Sequence, residues 1–288
     1  MATVTCRSGV GAAAVVSLGA YAAPMVAVGS VLGRYELWSL VDAGGAGRVW
    51  NVTDRVLESG QGGRIVIKTY EVPEGDEFFG PRFVAETRGV ARIAHPGVVA
   101  LLDLGYDDSV AWVAMQREYG ESLRSRLART GAVPAPLAMA WLGQAASAMA
   151  EVHRMGIVHR GLRPSRLFVR SDERMVLTEF GAPRGMDRLL DAPEYLSPEE
   201  AKGEQPATYS DIYQLGLIAY ACLAGRPPFL SENPLEVAMM HVRHEPPPLP
   251  DHVPGPVQRI VWRCLAKSPS DRWPDMEILA RTAEWAAP

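Results

Sequence analysis

Three closely spaced glycines occur between two short strand-like runs near the start of the chain. They are Gly44, Gly45 and Gly47, within residues 43–49. Because glycine has no Cβ, backbone N–H groups in such a turn can approach phosphate oxygens. The same glycines are equally typical of a tight turn between strands. The run therefore indicates a phosphate site only if other residues supply the rest of it.

A lysine and a glutamate further along the chain would complete such a site. Lys68 follows the buried-looking run Ile65-Val66-Ile67, and Glu86 lies in a stretch with helical spacing. A strand lysine paired with a helical glutamate would hold its ammonium against nucleotide phosphates. Taken singly, each of these two residues is more typical of a structural role than of a functional one.

The elements expected to position these residues divide the chain into two parts. Residues 35–118 are mostly strands, with one helix at 83–94 that ends before His95-Pro96. After Gly120 the apolar spacing becomes helical. The expected strands are 35–41, 48–52, 64–69, 98–104 and 111–115, and the expected helices of the second part are 135–155, 209–223 and 256–265.

The composition bounds the class of protein. The 288 residues are 48% apolar and carry a net charge of −4, so a sizeable core can be buried and nucleic acid is not the expected partner. Cys6, Cys222 and Cys264 are scattered, with no C-x-x-C, which disfavours a disulfide framework and a cysteine zinc site. Unpaired thiols favour a reducing compartment, and we expect a cytoplasmic protein.

The first 34 residues form a separate apolar segment. No charged residue occurs at 8–33. An A-x-A pattern at 20–22 fits a signal peptide, and about 20 apolar residues suffice for a weak membrane anchor. We favour a disordered tail, or a start at Met25 instead of Met1, because only a few residues separate this segment from the folded domain. Anchoring or export through residues 8–28 is the alternative.

Further motifs follow the glycines, the lysine and the glutamate in a fixed order. They are His159-Arg160-Gly161-Leu162-Arg163-Pro164, Glu179-Phe180-Gly181, Ala192-Pro193-Glu194, Ser210-Asp211-Ile212 and Asp271-Arg272-Trp273. In this order the motifs resemble those of the protein-kinase superfamily, of the bacterial serine/threonine type. The resemblance implies an α+β, kinase-like bilobal fold. It would have a small antiparallel-sheet N-lobe with one αC-type helix (35–118) and a larger helical C-lobe (119–288), after the apolar segment 1–34.

The resemblance also implies which residues would bind ATP and which would hold the scaffold. The expected nucleotide contacts are Gly44, Gly45, Gly47, Val49, Lys68, Glu86, Met115 and Glu179. The expected structural residues are the stacked apolar column of Val90, His159 and Phe180, the catalytic-loop cap Asp211, and the buried ion pair of Glu199 and Arg272.

The catalytic loop departs from the family pattern at its chemical positions. In the family this loop reads H-R-D-x-x-x-x-N, where the Asp accepts the substrate hydroxyl proton and the Asn binds magnesium. Here Gly161 occupies the Asp position, Arg166 the Asn position, and Arg163 a position where the family has Lys. Glu179 begins the family's D-F-G motif, so it is the one candidate metal ligand, although its extra methylene displaces the carboxylate.

Two further residues outside the catalytic loop also differ from the family pattern. Asp42 replaces the first glycine of the glycine-rich loop, which puts a carboxylate near the phosphates. Ala192 replaces a Thr that contacts the catalytic Asp in the family. Residues 182–196 contain no Ser or Thr, so phosphorylation of Ser or Thr cannot switch this segment.

We therefore expect a pseudokinase that acts as a nucleotide-binding or regulatory module, with an active kinase or its substrate as partner. Loss of a positioned general base costs ~10²–10⁴ in rate, and loss of magnesium ligands removes charge neutralisation at the phosphoryl group. Two interpretations of Arg163 and Arg166 stay open. They could supply the positive charge that Mg²⁺ normally brings, so that ATP binds without metal, or they could pair with Glu179 or other carboxylates and close the cleft.

Two other functions remain possible on the sequence. The first is an atypical active kinase in which Glu179 holds Mg²⁺ and Asp187 or Asp191 replaces the base. The second is a purely structural partner of a true kinase, because tryptophans are enriched at interface hot spots, although most tryptophans are core residues. Its candidate exposed anchors are Trp50, Trp112, Trp141 and Trp285.

Overall fold

The computed structural model describes residues 26–44, 47–56, 64–72, 75–107, 109–178 and 192–287. Within these ranges the first lobe is a six-stranded antiparallel sheet with strand order β1-β2-β3-β4-β6-β5, and one helix, α1, Phe79–Val90. The strands are β1 Val31–Leu32, β2 Tyr35–Gly44, β3 Gly47–Asp54, β4 Ile65–Glu71, β5 Leu101–Tyr106 and β6 Val110–Gln116. The expected bilobal α+β fold is confirmed.

The central strand β4 is buried on both faces, which explains its unbroken apolar run. Ile65 and Ile67 belong to an apolar cluster on one face of the sheet, and Val66 and Tyr70 belong to a second cluster that includes Phe83 of α1. Because side chains alternate along a strand, Lys68 lies on the same face as Val66 and Tyr70. The alternation therefore directs this lysine towards the α1 side of the sheet.

The second lobe is mainly helical and carries a small antiparallel sheet of strand order β7-β8-β9. Its longest helices pack around one apolar core that also includes Leu162 of the loop 159–166. Its elements are β7 Gly120–Ser122, α2 Leu123–Thr130, α3 Ala135–Arg154, β8 Leu167–Arg170, β9 Met175–Leu177, α4 Pro198–Ala201, α5 Thr208–Ala224, α6 Pro234–Arg243, α7 Gly255–Cys264 and α8 Met276–Trp285. Short 3-10 helices cover Pro164–Arg166, Pro193–Tyr195 and Pro269–Asp271.

The largest difference from the predicted elements in the first lobe is the position of α1. The helix begins and ends earlier than the predicted 83–94. Pro81 lies in its first turn, where a missing backbone N–H breaks no intrahelical bond. The helix therefore extends through this proline to Phe79.

The first lobe also begins earlier than the predicted residue 35. Val26 and Leu32 are buried in the apolar cluster that contains Leu37, and β1 pairs with β2 through Leu32 and Tyr35. Residues 1–25 lie outside the described part of the chain. Within the described residues no helix is both long and apolar enough to cross a membrane.

The buried ion pair expected from the sequence is confirmed. Arg272 donates to Glu199 at 2.6 Å, and both side chains are almost fully buried. The other guanidinium donors reach the backbone carbonyls of Ala266, Lys267 and Tyr209. Because the charge is paired and its donors are used, the pair joins the chain after α7 to α4 and α5 without an unsatisfied group.

Candidate nucleotide site and catalytic loop

The glycine-rich turn joins β2 and β3, as predicted. Gly44 pairs with Gly47 across the turn, and Gly45 lies outside the described residues. Gly47 has φ +145°, and a Cβ there would lie 2.2 Å from the carbonyl oxygen of Thr69 and 3.3 Å from Cε of Lys68. Only glycine fits this position, so the backbone of the turn packs directly against Lys68 and Thr69 of β4.

Lys68 is buried, with 4% of its surface exposed, and its Nζ lies 5.6 Å from the centre of the Tyr70 ring. The Tyr70 ring lies 5.5 Å from the ring of Phe83 on α1. Glu86 lies on the exposed side of the same helix. An ion pair between Lys68 and Glu86 stays a prediction, but the two residues are on elements that pack together.

The two apolar candidates for nucleotide contact lie on the two strands that flank β4. Val49 is half-buried and pairs with Lys68 across β3 and β4, and it also pairs with the exposed Asp42 of β2. Met115 is buried and pairs with Val66 on β6. The structure thus brings together Gly47, Val49 and Lys68, with Met115 farther along the same sheet.

Two side chains from the first turns of α5 hold the backbone of the catalytic loop. The carboxylate of Asp211 is fully buried and accepts hydrogen bonds from the backbone N–H groups of His159 and Arg160, each at 2.9 Å, and lies 2.9 Å from Nε2 of His153. One helical turn later, Gln214 accepts from the N–H of Leu162 at 2.8 Å. The predicted cap by Asp211 is confirmed.

The side chain of Arg166 turns back onto the loop. Its Nη1 donates to the carbonyl of Gly161 at 3.1 Å, and only 8% of the residue is exposed. The carbonyl of Arg166 in turn accepts from the N–H and hydroxyl of Thr178, at 2.9 and 3.1 Å. Arg166, which is expected at the family's metal-binding position, therefore places a buried cation beside Gly161, which is expected at the family's base position.

The loop backbone is locally unusual at two consecutive residues. Arg160 has φ +59°, a left-handed conformation that is uncommon for residues other than glycine, and Gly161 has φ +156°. Arg163 is half-buried and starts the 3-10 helix Pro164–Arg166, with its carbonyl accepting from the N–H of Arg166 at 2.9 Å. Arg160 is therefore the residue with the left-handed backbone, whereas Gly161 lies nearer to the extended region.

Burial and charge keep His159 neutral. The ring is enclosed by the core, and this desolvation, together with the nearby charge of Arg166, lowers its pKa to about 4. Val90, a second member of the expected column, is also buried. Phe180, the third member, lies outside the described residues, as do Glu179, Asp187 and Asp191.

Three of the four proposed tryptophan anchors are wrong. Trp50, Trp112 and Trp141 are buried in the cores of the two lobes. Trp285 is 74% exposed at the end of α8, and Trp38 on β2, which the sequence analysis did not consider, is 53% exposed. Trp38 is the extra residue of a register shift between Leu37 and Ser39, and no sequence signal marks such a bulge.

Comparison with known proteins agrees with the arrangement of these elements. Residues 35–283 match the protein kinase domain family. The chain is 32% identical over 264 residues to "Serine/threonine-protein kinase PknA" of Mycobacterium tuberculosis (strain ATCC 25618 / H37Rv), a match that covers 87% of this chain and 60% of the relative. It is 29% identical over 267 residues to "Serine/threonine-protein kinase PrkC" of Bacillus subtilis (strain 168), covering 88% and 41%. The chain therefore spans less than two thirds of the length of these relatives.

Replacing Asp211 by alanine tests how the loop is held. Asp211→Ala leaves the N–H groups of His159 and Arg160 buried without their acceptor, and each such group costs about 1–3 kcal/mol. We expect the free energy of unfolding, measured by urea titration, to fall by several kcal/mol. Asp172→Ala, at a half-exposed carboxylate in the β8–β9 turn, is the matched control and should change it by less than about 1 kcal/mol.

The neutral His159 predicts a loss of stability in acid. Its folded pKa of about 4 lies below the ordinary value of 6.5, so the unfolded chain binds more protons between these values and stability falls as the pH drops through that window. The full effect is roughly 3 kcal/mol. In thermal melts from pH 7 to pH 4, His159→Phe should flatten the fall in Tm. An unchanged pH slope in this variant would show that His159 is not the group responsible.

Proposed function

Because the chain belongs to the protein kinase family, with bacterial serine/threonine kinases among its relatives, we propose that it is a pseudokinase. In this proposal it keeps the two-lobed scaffold and a nucleotide cleft, acts by binding, and does not transfer phosphate efficiently. The observation that carries the proposal is the contact between Arg166 and the carbonyl of Gly161. It joins the two lost chemical positions in one buried interaction.

No described carboxylate in the loop replaces the general base. Gly161 has no side chain, and its neighbours Arg160 and Leu162 cannot accept a proton at neutral pH. The carboxylate of Asp211 contacts the loop, and its two oxygens already accept backbone N–H groups in a fully buried site. Within residues 159–162, therefore, no side chain takes the place of the family's general base.

The described residues fit a nucleotide better than they fit magnesium. The backbone of Gly47 packs closely against Thr69 and Lys68, so the glycine turn lies beside the lysine at the end of the sheet where the family holds phosphates. Mg²⁺ requires oxygen ligands in octahedral geometry, whereas Arg166 supplies a buried cation that would repel a divalent ion nearby. We propose that ATP is bound without a divalent ion. In this arrangement Lys68, Arg163 and Arg166 balance the phosphate charge.

A second candidate function is supported by the names of the relatives. Proteins 29–32% identical to this chain are named serine/threonine-protein kinases. Glu179, Asp187 and Asp191, which such an activity would need, lie outside the described residues. An atypical active kinase is therefore the alternative that the assay below must separate from a pseudokinase.

The proposed partner is a protein, either an active kinase or a kinase substrate, and the proposed location is the cytoplasm. The kinase family implies a nucleotide and a protein partner, and two of the three cysteines, Cys222 and Cys264, are buried free thiols, in keeping with a reducing compartment.

Phosphate transfer is the direct test of the proposed function. Purified protein is incubated with labelled ATP, magnesium or manganese and a generic protein acceptor, beside Lys68→Met. We expect the label incorporated by the wild type to equal that of Lys68→Met, because a missing base alone costs about 10²–10⁴ in rate. Incorporation by the wild type that Lys68→Met abolishes would establish the atypical kinase instead.

Calorimetric titration with ATP tests how the cleft holds nucleotide. We expect the same Kd in magnesium and in EDTA, and a weaker Kd for Lys68→Met in both. A Kd that tightens tenfold with magnesium, about 1.4 kcal/mol, would show a functional metal site and contradict the role given to Arg166. If no heat is released in either buffer, the cleft does not bind ATP. That result would favour the interpretation in which Arg163 and Arg166 pair with carboxylates and close the cleft.

A further inference from the structure

Two side chains join the catalytic loop to the segment that leads into α4. Oε1 of Gln214 accepts from the N–H of Leu162 at 2.8 Å, and its Nε2 donates to Oε2 of Glu200 at 2.7 Å. The same carboxylate oxygen accepts from the backbone N–H of Ser197 at 3.1 Å and from its hydroxyl at 2.9 Å. A continuous path of hydrogen bonds therefore runs from Leu162 of the loop to Ser197, the N-cap of α4.

Most of this path is shielded from water. Leu162 and Ser197 are fully buried, Gln214 is 1% exposed, and Glu200 is half-buried. A buried polar group that loses its partner costs more free energy than the hydrogen bond itself gains. The folded chain therefore strongly favours the arrangement in which each group of the path keeps its neighbour.

The two ends of the path fix the orientation of the Gln214 amide. A backbone N–H only donates, so the amide oxygen must face Leu162. An ionised carboxylate only accepts, so the amide NH₂ must face Glu200. Because the reversed amide would lose both hydrogen bonds at once, Glu200 acts on the catalytic loop through Gln214.

The glutamate next to Glu200 fastens α4 in a different direction. Glu199 accepts from the hydroxyl of Ser210 at 3.1 Å and from Arg272 at 2.6 Å. This contact holds α4 against α5 and the chain after α7, whereas the contact of Glu200 continues to the catalytic loop. The two glutamates therefore have separable roles, and replacement of Glu200 leaves the attachment through Glu199 in place.

We propose that Glu200 and Gln214 are positioning residues that couple the catalytic loop to residues 193–201. In the family, a Thr at the position of Ala192 contacts the Asp at the position of Gly161, and neither group is present in this chain. The path through Gln214 joins the same two segments by other side chains. It keeps loop and segment in register after the chemical positions of the loop have changed.

The coupling gives nucleotide binding a second place of action. Leu162 directly precedes Arg163, which in the proposed function balances phosphate charge, so a nucleotide held there restrains the loop. Through Gln214 and Glu200 the same restraint reaches residues 193–201, because ordering at one end of a coupled path favours ordering at the other. This consequence rests on the proposed nucleotide binding, whereas the coupling in the nucleotide-free chain does not.

Hydrogen exchange of the nucleotide-free full chain tests the coupling, with a peptide of α3 as the reference for global unfolding. Glu200→Ala removes the partner of the Gln214 amide, and we expect the loop peptide 159–166 to exchange at least about fivefold faster. The loop peptide is the decisive readout, since loss of the α4 cap by itself would loosen residues 193–201.

Two matched variants serve as controls. Glu200→Gln keeps an acceptor for Gln214 and Ser197, and Glu204→Ala replaces an exposed glutamate just after α4. Each should change the exchange of the loop peptide by less than about twofold. A loop peptide that exchanges in Glu200→Ala as it does in the wild type, or that is accelerated equally by Glu200→Gln, would overturn the proposal.

Swapping the two side chains tests the link in a second way. Gln214→Glu keeps an acceptor for Leu162 but sets two carboxylates against each other, so we expect a lower urea midpoint. Adding Glu200→Gln supplies an amide that donates to the new carboxylate and accepts from Ser197, so the double variant should regain most of the loss. If Gln214→Glu does not fold, a folded double variant shows the same rescue. A double variant no more stable than Gln214→Glu would contradict the link.

Saturating ATP in magnesium-free buffer tests the consequence for the cleft. We expect ATP to slow the exchange of residues 193–201 in the wild type and to leave it unchanged in Glu200→Ala. Equal slowing in Glu200→Ala, or none in a wild type that binds ATP by calorimetry, would refute the transmission to this segment. If calorimetry detects no ATP binding, this consequence falls together with the proposed nucleotide binding, and the nucleotide-free exchange still decides the coupling itself.

Discussion

The arrangement of the cleft depends on one buried carboxylate. Asp211, at the start of α5, accepts the backbone N–H groups of His159 and Arg160, so a side chain from outside the loop fixes this part of the loop backbone. Gly161 has no side chain, and the hydrogen bonds that Asp211 and Gln214 make to the loop go to the N–H groups of His159, Arg160 and Leu162. The proposed pseudokinase would in this way keep the scaffold while its chemistry differs from that of the family.

The altered positions form a consistent set because Arg166 takes over a structural task. Its guanidinium donates to Gly161 and its carbonyl accepts from Thr178, so one residue joins the loop to the strand end that leads to Glu179. A metal ion bound between loop and strand would connect the same parts of the chain. The buried cation also contributes to the low pKa of His159, and so it influences the core as well as the cleft.

Some features of the fold and of the candidate site could be predicted from the sequence, and others could not. The Asp211 cap and the Glu199–Arg272 pair followed from ordered motifs. Four helices of the second lobe were missed although their N-terminal side chains cap them in the structure, because short segments compete with loop patterns. Those caps are Ser122, Ser197, Asn233 and Asp275. The contact of Arg166 with Gly161 could not be predicted, since the direction of a long side chain depends on packing between elements far apart in the sequence.

The most direct test of the central claim restores the lost groups. Phosphate transfer from labelled ATP with magnesium is measured for the wild type, for Gly161→Asp/Arg166→Asn, and for the same double variant carrying Lys68→Met. The account predicts transfer by the double variant above a wild-type background, abolished when Lys68 is replaced. Transfer by the wild type that the double substitution leaves unchanged or lowers would show that Gly161 and Arg166 are compatible with catalysis, and would contradict the account.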